Sequence, residues 1–132
     1  KDHLKITKES DQFHLMKIHH FKLYVKMRFH THALTLFIPS SLKELQEGWC
    51  LNTTKLNHIS ISTKNKNFSL IDSKIIVGKS DENNGFFDVL LFACRDISKF
   101  VVPSSIRNIG SFSFIGCVNL KSIEFEEKSQ LE

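Results

Sequence analysis

The sequence contains few of the residues that define disulfide-rich, metal-binding or fibrous proteins. Its three cysteines, Cys50, Cys94 and Cys117, are an odd number and none is spaced C-x-x-C, which argues against a disulfide framework and a zinc site. We expect them to be buried free thiols. Two prolines and five glycines exclude collagen-like and low-complexity chains. No apolar run approaches the roughly 20 residues that a membrane-spanning helix needs.

Sequence motifs for catalysis are also absent. No G-x-S-x-G, H-E-x-x-H, phosphate-binding loop or G-x-G-x-x-G occurs. All but one of the histidines lie within residues 1–32, where His30-x-His32 is the best candidate metal pair, but no Cys, Asp or Glu of suitable spacing joins it. We therefore expect no enzyme activity, no metal site, no cofactor and no small-molecule substrate.

The positive charge of the chain is concentrated at one end. Residues 1–32 contain seven Lys or Arg and three Asp or Glu, whereas residues 33–132 contain eleven of each and carry no net charge. A nucleic-acid-binding fold usually spreads basic residues over the folded face that meets phosphate. We expect no nucleic-acid partner, although salt-sensitive binding through residues 1–32 stays open as an alternative.

One block of sequence occurs twice along the chain. Residues 36–61 read LFIPSSLKELQEGWCLNTTKLNHISI, and residues 100–125 read FVVPSSIRNIGSFSFIGCVNLKSIEF. Apolar positions fall on apolar positions almost throughout, and the Pro-Ser-Ser triplet falls on itself. Self-similarity of this kind is typical of repeat proteins, in which each unit buries its apolar side only when neighbours stack on it.

Within each copy the spacing predicts a strand, a turn and a return segment. The sequences ending in I-x-I and I-x-F place two apolar residues on one face of a strand. Proline follows the strands that end at Ile38 and Val102, where it terminates a strand or lies at a sheet edge. A weaker match, which aligns Cys94 with Cys117, suggests a further repeat strand over residues 97–102.

The segment between the two copies predicts a β-hairpin. Residues 75–77 and 89–92 are apolar runs, and the polar residues 80–85 between them end in Asn-Gly. We interpret this hairpin as an elaboration within the repeat array.

Residues 102–126 resemble the BspA-type leucine-rich repeat, whose pattern is close to I-P-x-S-V-x-x-I-G-x-x-A-F-x-x-C-x-x-L-x-x-I-x-I. The matching positions are Pro103, Ser105, Ile106, Ile109, Gly110, Phe114, Cys117, Leu120, Ile123 and Phe125, with Ser113 in place of Ala. Residues 67–77 resemble the family's inserted N-x-x-F-x-x-x-D-G-x-L stretch, although Ser73 stands where Gly is usual. The first copy departs more, with Trp49, Cys50 and Thr53 in place of Ala, Phe and Cys.

The resemblance implies a β-dominated leucine-rich repeat solenoid of the α/β horseshoe class, with a β-hairpin elaboration and few or short helices. We expect it to span residues 33–132 and to be truncated at both ends, and we expect residues 1–32 to be a degenerate or poorly packed N-terminal segment. The resemblance further implies a cell-surface or secreted antigen that binds host or neighbouring-cell proteins. A structural spacer that presents another domain is the alternative.

The strand face opposite the core is the predicted binding surface. If Ile59, Ile61, Ile123 and Phe125 point inward, alternate residues point outward, and stacking would place them in rows on one sheet. The outward residues are Thr35, Phe37, His58, Ser60, Lys99, Val101, Ser122 and Glu124.

Two N-x-[ST] sequons also occur, Asn52-Thr53-Thr54 and Asn67-Phe68-Ser69. Modification of either requires a secretory route. A chain with this content of Asn, Ser and Thr yields one or two sequons by chance, so the motif alone is a weak signal.

Overall fold

The computed structural model describes residues 13–18, 23–29, 34–45, 47–51, 53 and 55–132, the first two ranges and residue 34 by backbone only. The regular structure in these ranges is all strand. The strands are β1 (Phe13–Ile18), β2 (Leu23–Phe29), β3 (Leu34–Ile38), β4 (Leu56–Ile61), β5 (Ser69–Ile71), β6 (Ile75–Gly78), β7 (Val89–Ala93), β8 (Lys99–Val102), β9 (Asn108–Ile109) and β10 (Ser122–Phe125).

These strands form three sheets. The first has the order β1-β2-β3-β4, the second pairs β8 with β10, and the third has the order β5-β6-β7-β9. Pairing is parallel for β3 with β4, β7 with β9, and β8 with β10, and antiparallel elsewhere. These strand-rich sheets confirm the expected β-dominated repeat fold. Within the described ranges, no helix has the length and apolar character that crossing a membrane requires.

The predicted hairpin is present as the antiparallel pair β6–β7, and it separates two apolar clusters. One cluster contains Leu36, Ile38, Leu42, Cys50, Leu56, Ile59, Phe68, Ile76, Phe92 and Cys94. The other contains Ile75, Val77, Leu90, Ala93, Phe100, Val102 and Ile106. Since successive residues of β6 face opposite clusters, all four of its residues are buried, which explains its unbroken apolar sequence.

A register shift between Ile76 and Val77 marks a β-bulge in this hairpin. Ile76 lies opposite Phe92, while Val77 lies opposite Leu90, so Leu91 is the additional residue. A bulge changes which face the following residues meet. Leu91 and Phe92 therefore both pack against the first cluster, whereas Leu90 and Ala93 contribute to the second.

The two copies of the repeated block adopt the same local structure. Thr35 lies opposite His58 in β3–β4, and Lys99 lies opposite Ser122 in β8–β10, an identical register. Backbone hydrogen bonds recur at equivalent positions. Ser62 donates to Ile38 over 2.9 Å, and Glu126 donates to Val102 over 3.1 Å. The turn after each proline closes in the same way, by Leu42 N to Pro39 O (3.3 Å) and Ile106 N to Pro103 O (3.1 Å).

Backbone conformation repeats as well, even where the residue type changes. Gly48 has a φ of 82°, and the equivalent residue in the second copy, Phe112, has a φ of 64°. A left-handed φ is easy for glycine and costly for phenylalanine. The shared turn geometry therefore follows from the packing of the repeat and overrides the local preference of Phe112.

The N-terminal segment contributes two antiparallel strands, since β1 pairs with β2 and β2 pairs with β3. The division of the chain between residues 32 and 33 stays a prediction. Residues 1–12, 19–22 and 30–33 lie outside the described part of the chain, and with them lies the candidate metal pair His30-x-His32.

Candidate binding surface

The first predicted surface lies on β3 and β4, above the first apolar cluster. Thr35 is opposite His58, and Phe37 is opposite Ser60. Phe37 is 38% exposed, and His58 and Ser60 are also exposed, whereas Leu36 between the two β3 residues is buried. Alternation along these strands therefore places the four predicted residues together on the outer face.

The second predicted surface lies on β8 and β10. Lys99 is opposite Ser122, and Val101 is opposite Glu124. All four residues are exposed, and Val101 is exposed to 48%. Phe100 and Val102, which alternate with Lys99 and Val101, are buried in the second cluster. This face consists of one cation, one carboxylate, one hydroxyl and one branched apolar side chain.

The expectation that all eight residues form rows on one sheet is wrong. The β3–β4 pair and the β8–β10 pair belong to different sheets, and the third sheet follows β4 along the chain. The insertion between the copies is long enough to form its own strands, so β8 does not pair with β4. The chain therefore presents two separate four-residue surfaces of the same geometry.

The last strand, β10, is more exposed than the sequence predicts. Ile123 and Phe125 were expected to be inward, and their register beside Phe100 and Val102 agrees with that face. They are nevertheless 37% and 48% exposed, whereas Ile59, the equivalent of Ile123, is only 8% exposed. Ile59 is covered because the hairpin residues Ile76 and Phe92 belong to its cluster. No described residue covers β10 in the same way.

Arg95 connects segments that are distant in sequence, and sequence analysis missed it. Its side chain is 3% exposed. Nη1 donates to the carbonyl oxygens of Ala93 (3.2 Å) and Ser113 (3.0 Å), and Nη2 donates to that of Cys50 (3.3 Å). The guanidinium lies 4.1 Å from the ring centroid of Phe92. A buried cation needs such partners to offset its desolvation. Arg95 therefore holds the turns of both copies against the hairpin.

The three cysteines are free thiols, as expected, and they surround this arginine. Cys50 and Cys94 are buried, and Cys117 is half-buried. Burial raises the pKa of Cys94 to about 12. Burial also raises the pKa of Cys117, although the nearby Arg95 acts in the opposite direction. Thiols whose pKa is raised are poor nucleophiles, so Cys94 and Cys117 serve as small apolar side chains.

Asp88 organises the hairpin loop. Its carboxylate accepts hydrogen bonds from the backbone N–H of Ser80 (2.8 Å) and from the Ser80 hydroxyl (2.6 Å). Burial would raise the pKa of Asp88, but these hydrogen bonds, a backbone hydrogen bond of its own and the charge of Arg107 lower the pKa below 3.8. The ionised carboxylate therefore closes the long loop that the sequence left without a defined turn.

A cavity of about 750 Å³ opens between the segment after β3, the loop before β5 and the β6–β7 hairpin. Apolar side chains of Leu45, Phe68 and Leu91 line it, together with polar and charged residues of the turns and the hairpin. These are Ser41, Lys43, Glu44, Asn67, Lys79 and Glu82. None of the eight predicted surface residues lines this cavity. In the described part of the chain, no group of three or more potential ligands could hold a metal ion.

Comparison with known proteins supports the repeat. Residues 88–131 match the family described as BspA type Leucine rich repeat region (6 copies). Regions of this family are generally non-enzymatic repeat modules of the protein-interaction class, and they are typically surface-associated or secreted. Searches of curated proteins and of solved structures each find no match. The matched residues include the whole second copy of the repeat from its β8 strand onward, so this part of the chain is similar to a BspA-type leucine-rich repeat region.

Proposed function

We propose that this protein is an adhesion module of a cell-surface or secreted antigen. It recognises host or neighbouring-cell proteins through the outer faces of β3–β4 and β8–β10. The repeats form a solenoid of the α/β horseshoe class over residues 33–132, with β5–β7 as its elaboration. The main observation in support of this proposal is the identical parallel register of the two strand pairs, which presents Phe37 and Val101 at equivalent, exposed positions.

The chemistry of these faces suits a protein partner. Each face combines one exposed apolar side chain with hydroxyl or charged neighbours, and an apolar contact surrounded by polar groups is the usual arrangement of a protein interface. Phe37 and Val101 lie on regular strands above buried residues, so little conformational entropy is lost when a partner contacts them.

The test is binding of the protein to immobilised extracellular-matrix proteins and to cell surfaces, with a double variant Phe37→Asp and Val101→Asp. Loss of apolar contact and burial of two carboxylates should weaken binding by about tenfold or more. The matched control is Phe86→Asp with Val118→Asp, since these two residues are more exposed (72% and 88%) and lie outside both faces.

Equal binding by the wild type and the Phe37/Val101 variant would remove both faces from consideration. It would favour the alternative that the repeats are a spacer that presents another domain. A loss of binding in the control variant alone would move the contact surface to the loops that carry Phe86 and Val118.

A further inference from the structure

The sequon Asn67-Phe68-Ser69 lies beside the cavity, a position that could not be predicted from the sequence. Phe68 is 5% exposed and belongs to the first apolar cluster, while Asn67 is half-buried and lines the 750 Å³ cavity. The sequon therefore lies where the loop after β4 meets the hairpin. Its asparagine is at the cavity wall and its middle residue anchors the loop.

The conformation of this loop does not depend on a primary amide at Asn67. The buried Asn65 fixes the loop, because its Oδ1 accepts from the backbone N–H groups of Asn67 (2.7 Å) and Phe68 (3.0 Å). Its Nδ2 donates to the carbonyl oxygens of Pro39 (2.8 Å) and Leu42 (3.1 Å). Asn67 Nδ2 itself makes one long contact, 3.5 Å to Leu42 O. A secondary amide keeps one N–H and can retain that contact.

We propose that Asn67 is an N-glycosylation site whose first sugar residues occupy the cavity. In the reaction, Asn67 Nδ2 forms a bond to C1 of the sugar of a lipid-diphosphate-linked oligosaccharide. The bond from C1 to the diphosphate oxygen breaks, the lipid diphosphate leaves, and Nδ2 loses one proton. This proposal rests on the proposed function, because the modification requires passage through a secretory pathway.

The cavity suits a carbohydrate. Its volume lies within the range of about 300–1,000 Å³ that small-molecule sites have. Leu45, Phe68 and Leu91 offer apolar surface to the faces of sugar rings, and charged side chains at its rim, including Lys43, Glu44 and Lys79, offer hydrogen bonds to hydroxyl groups. None of the eight surface residues lines the cavity, so a glycan there leaves both strand faces open to a protein partner.

The second sequon, Asn52-Thr53-Thr54, has no comparable structural description, so we propose modification only at Asn67. Asn52 and Thr54 lie outside the described residues. Thr53 is 5% exposed, and its hydroxyl donates to Cys50 O over 2.6 Å.

The experiment is secretion of residues 1–132 from eukaryotic cells behind a cleavable signal peptide, followed by peptide mass spectrometry before and after enzymatic release of N-glycans. Both secreted and cell-retained protein are analysed. Ser69→Ala removes the sequon and keeps Asn67. Gly85→Thr completes a sequon at the exposed Asn83 and verifies that the host modifies this chain. We expect glycan on Asn67 in the wild type, and none at this position in the Ser69→Ala variant.

The second readout is thermal unfolding. If sugars occupy the cavity, the melting temperature of the glycosylated wild type should fall by a few degrees when the glycan is released, and that of Ser69→Ala should not change under the same treatment. An unmodified Asn67 in a host that modifies Asn83 of the Gly85→Thr variant overturns the proposal. A glycan whose release leaves the melting temperature unchanged overturns its placement in the cavity. Neither result bears on binding through Phe37 and Val101, so the two proposals fail separately.

Discussion

The turn between β5 and β6 contains two non-glycine residues in the left-handed region, and replacing the second with glycine should stabilise the protein. Asp72 and Ser73 have φ values of 53° and 59°, and Lys74 N donates to Ile71 O over 3.0 Å. Positive φ at both central residues is the geometry of a type I′ turn, for which Asp-Gly is among the preferred pairs. Ser73 therefore adopts a conformation that glycine would adopt at lower cost.

The magnitude follows from two opposing terms. A left-handed conformation costs a non-glycine residue roughly 1–2 kcal/mol, and glycine removes most of that cost. Glycine also gives the unfolded chain more freedom, which offsets about 0.4–1 kcal/mol of the gain. Ser73 is exposed, so no apolar burial is lost. Ser73→Gly should therefore raise the free energy of unfolding by about 0.5–1 kcal/mol, a shift of roughly 2–5 °C in Tm.

The assay is urea unfolding followed by circular dichroism, with Ser105→Gly as the matched control. Ser105 is also an exposed serine in a turn, but its φ is not positive, so glycine there should lower stability by about 0.5–1 kcal/mol. Equal losses of stability in the two glycine variants would show that the left-handed conformation of Ser73 carries no cost.

Three further predictions concern buried polar groups and thiols. Asn65→Ala removes four side-chain hydrogen bonds to backbone groups, including those that the N–H groups of Asn67 and Phe68 donate, and should lower the free energy of unfolding by about 2–3 kcal/mol. The exposed Asn83→Ala should change this free energy by less than about 0.5 kcal/mol in the same denaturant titration. Equal changes in the two variants would show that Asn65 does not fix the loop. Because the pKa of Asp88 is lowered on folding, its ionised carboxylate stabilises the protein above about pH 3.8, and this contribution is lost as the pH falls through the folded-state pKa. The free energy of unfolding should therefore fall less with decreasing pH for Asp88→Asn than for the wild type. Parallel pH profiles of the two proteins would contradict this. With a pKa of about 12, the Cys94 thiol is ionised to about one part in 10⁴ at pH 8. Cys94 should therefore react with a maleimide only when the protein unfolds. Rapid labelling of the Cys94 peptide in the native protein would contradict this prediction.

Local and periodic features of the fold could be predicted from the sequence. The recurrence of the block 36–61 at positions 100–125 predicted that both copies form a strand, a turn and a return segment, and the apolar runs at residues 75–77 and 89–92 predicted the hairpin. Both features depend on alternation and on turn residues that are close in sequence. The exposure of Phe37 and Val101 followed from the same alternation, because a residue between two buried ones on a strand points outward.

Features that depend on contacts between distant segments could not be predicted. Arg95 lies between Cys94 and Asp96 and resembles an ordinary turn residue, yet it binds a carbonyl oxygen 45 positions away. The one sequence feature that pointed to a structural role for Arg95 was its position next to Cys94, a cysteine of the repeat pattern. The exposure of Ile123 was likewise hidden, since its covering depends on a neighbouring segment and not on its own strand.

The two copies of the repeated block form the same parallel strand pair and expose the same face. The most direct measurement is a set of interstrand nuclear Overhauser effects in solution. The expected contacts align Val101 with Glu124 and Phe37 with Ser60, in parallel geometry. A shift of either pair by one residue would turn its apolar residues to the opposite face and would contradict the account.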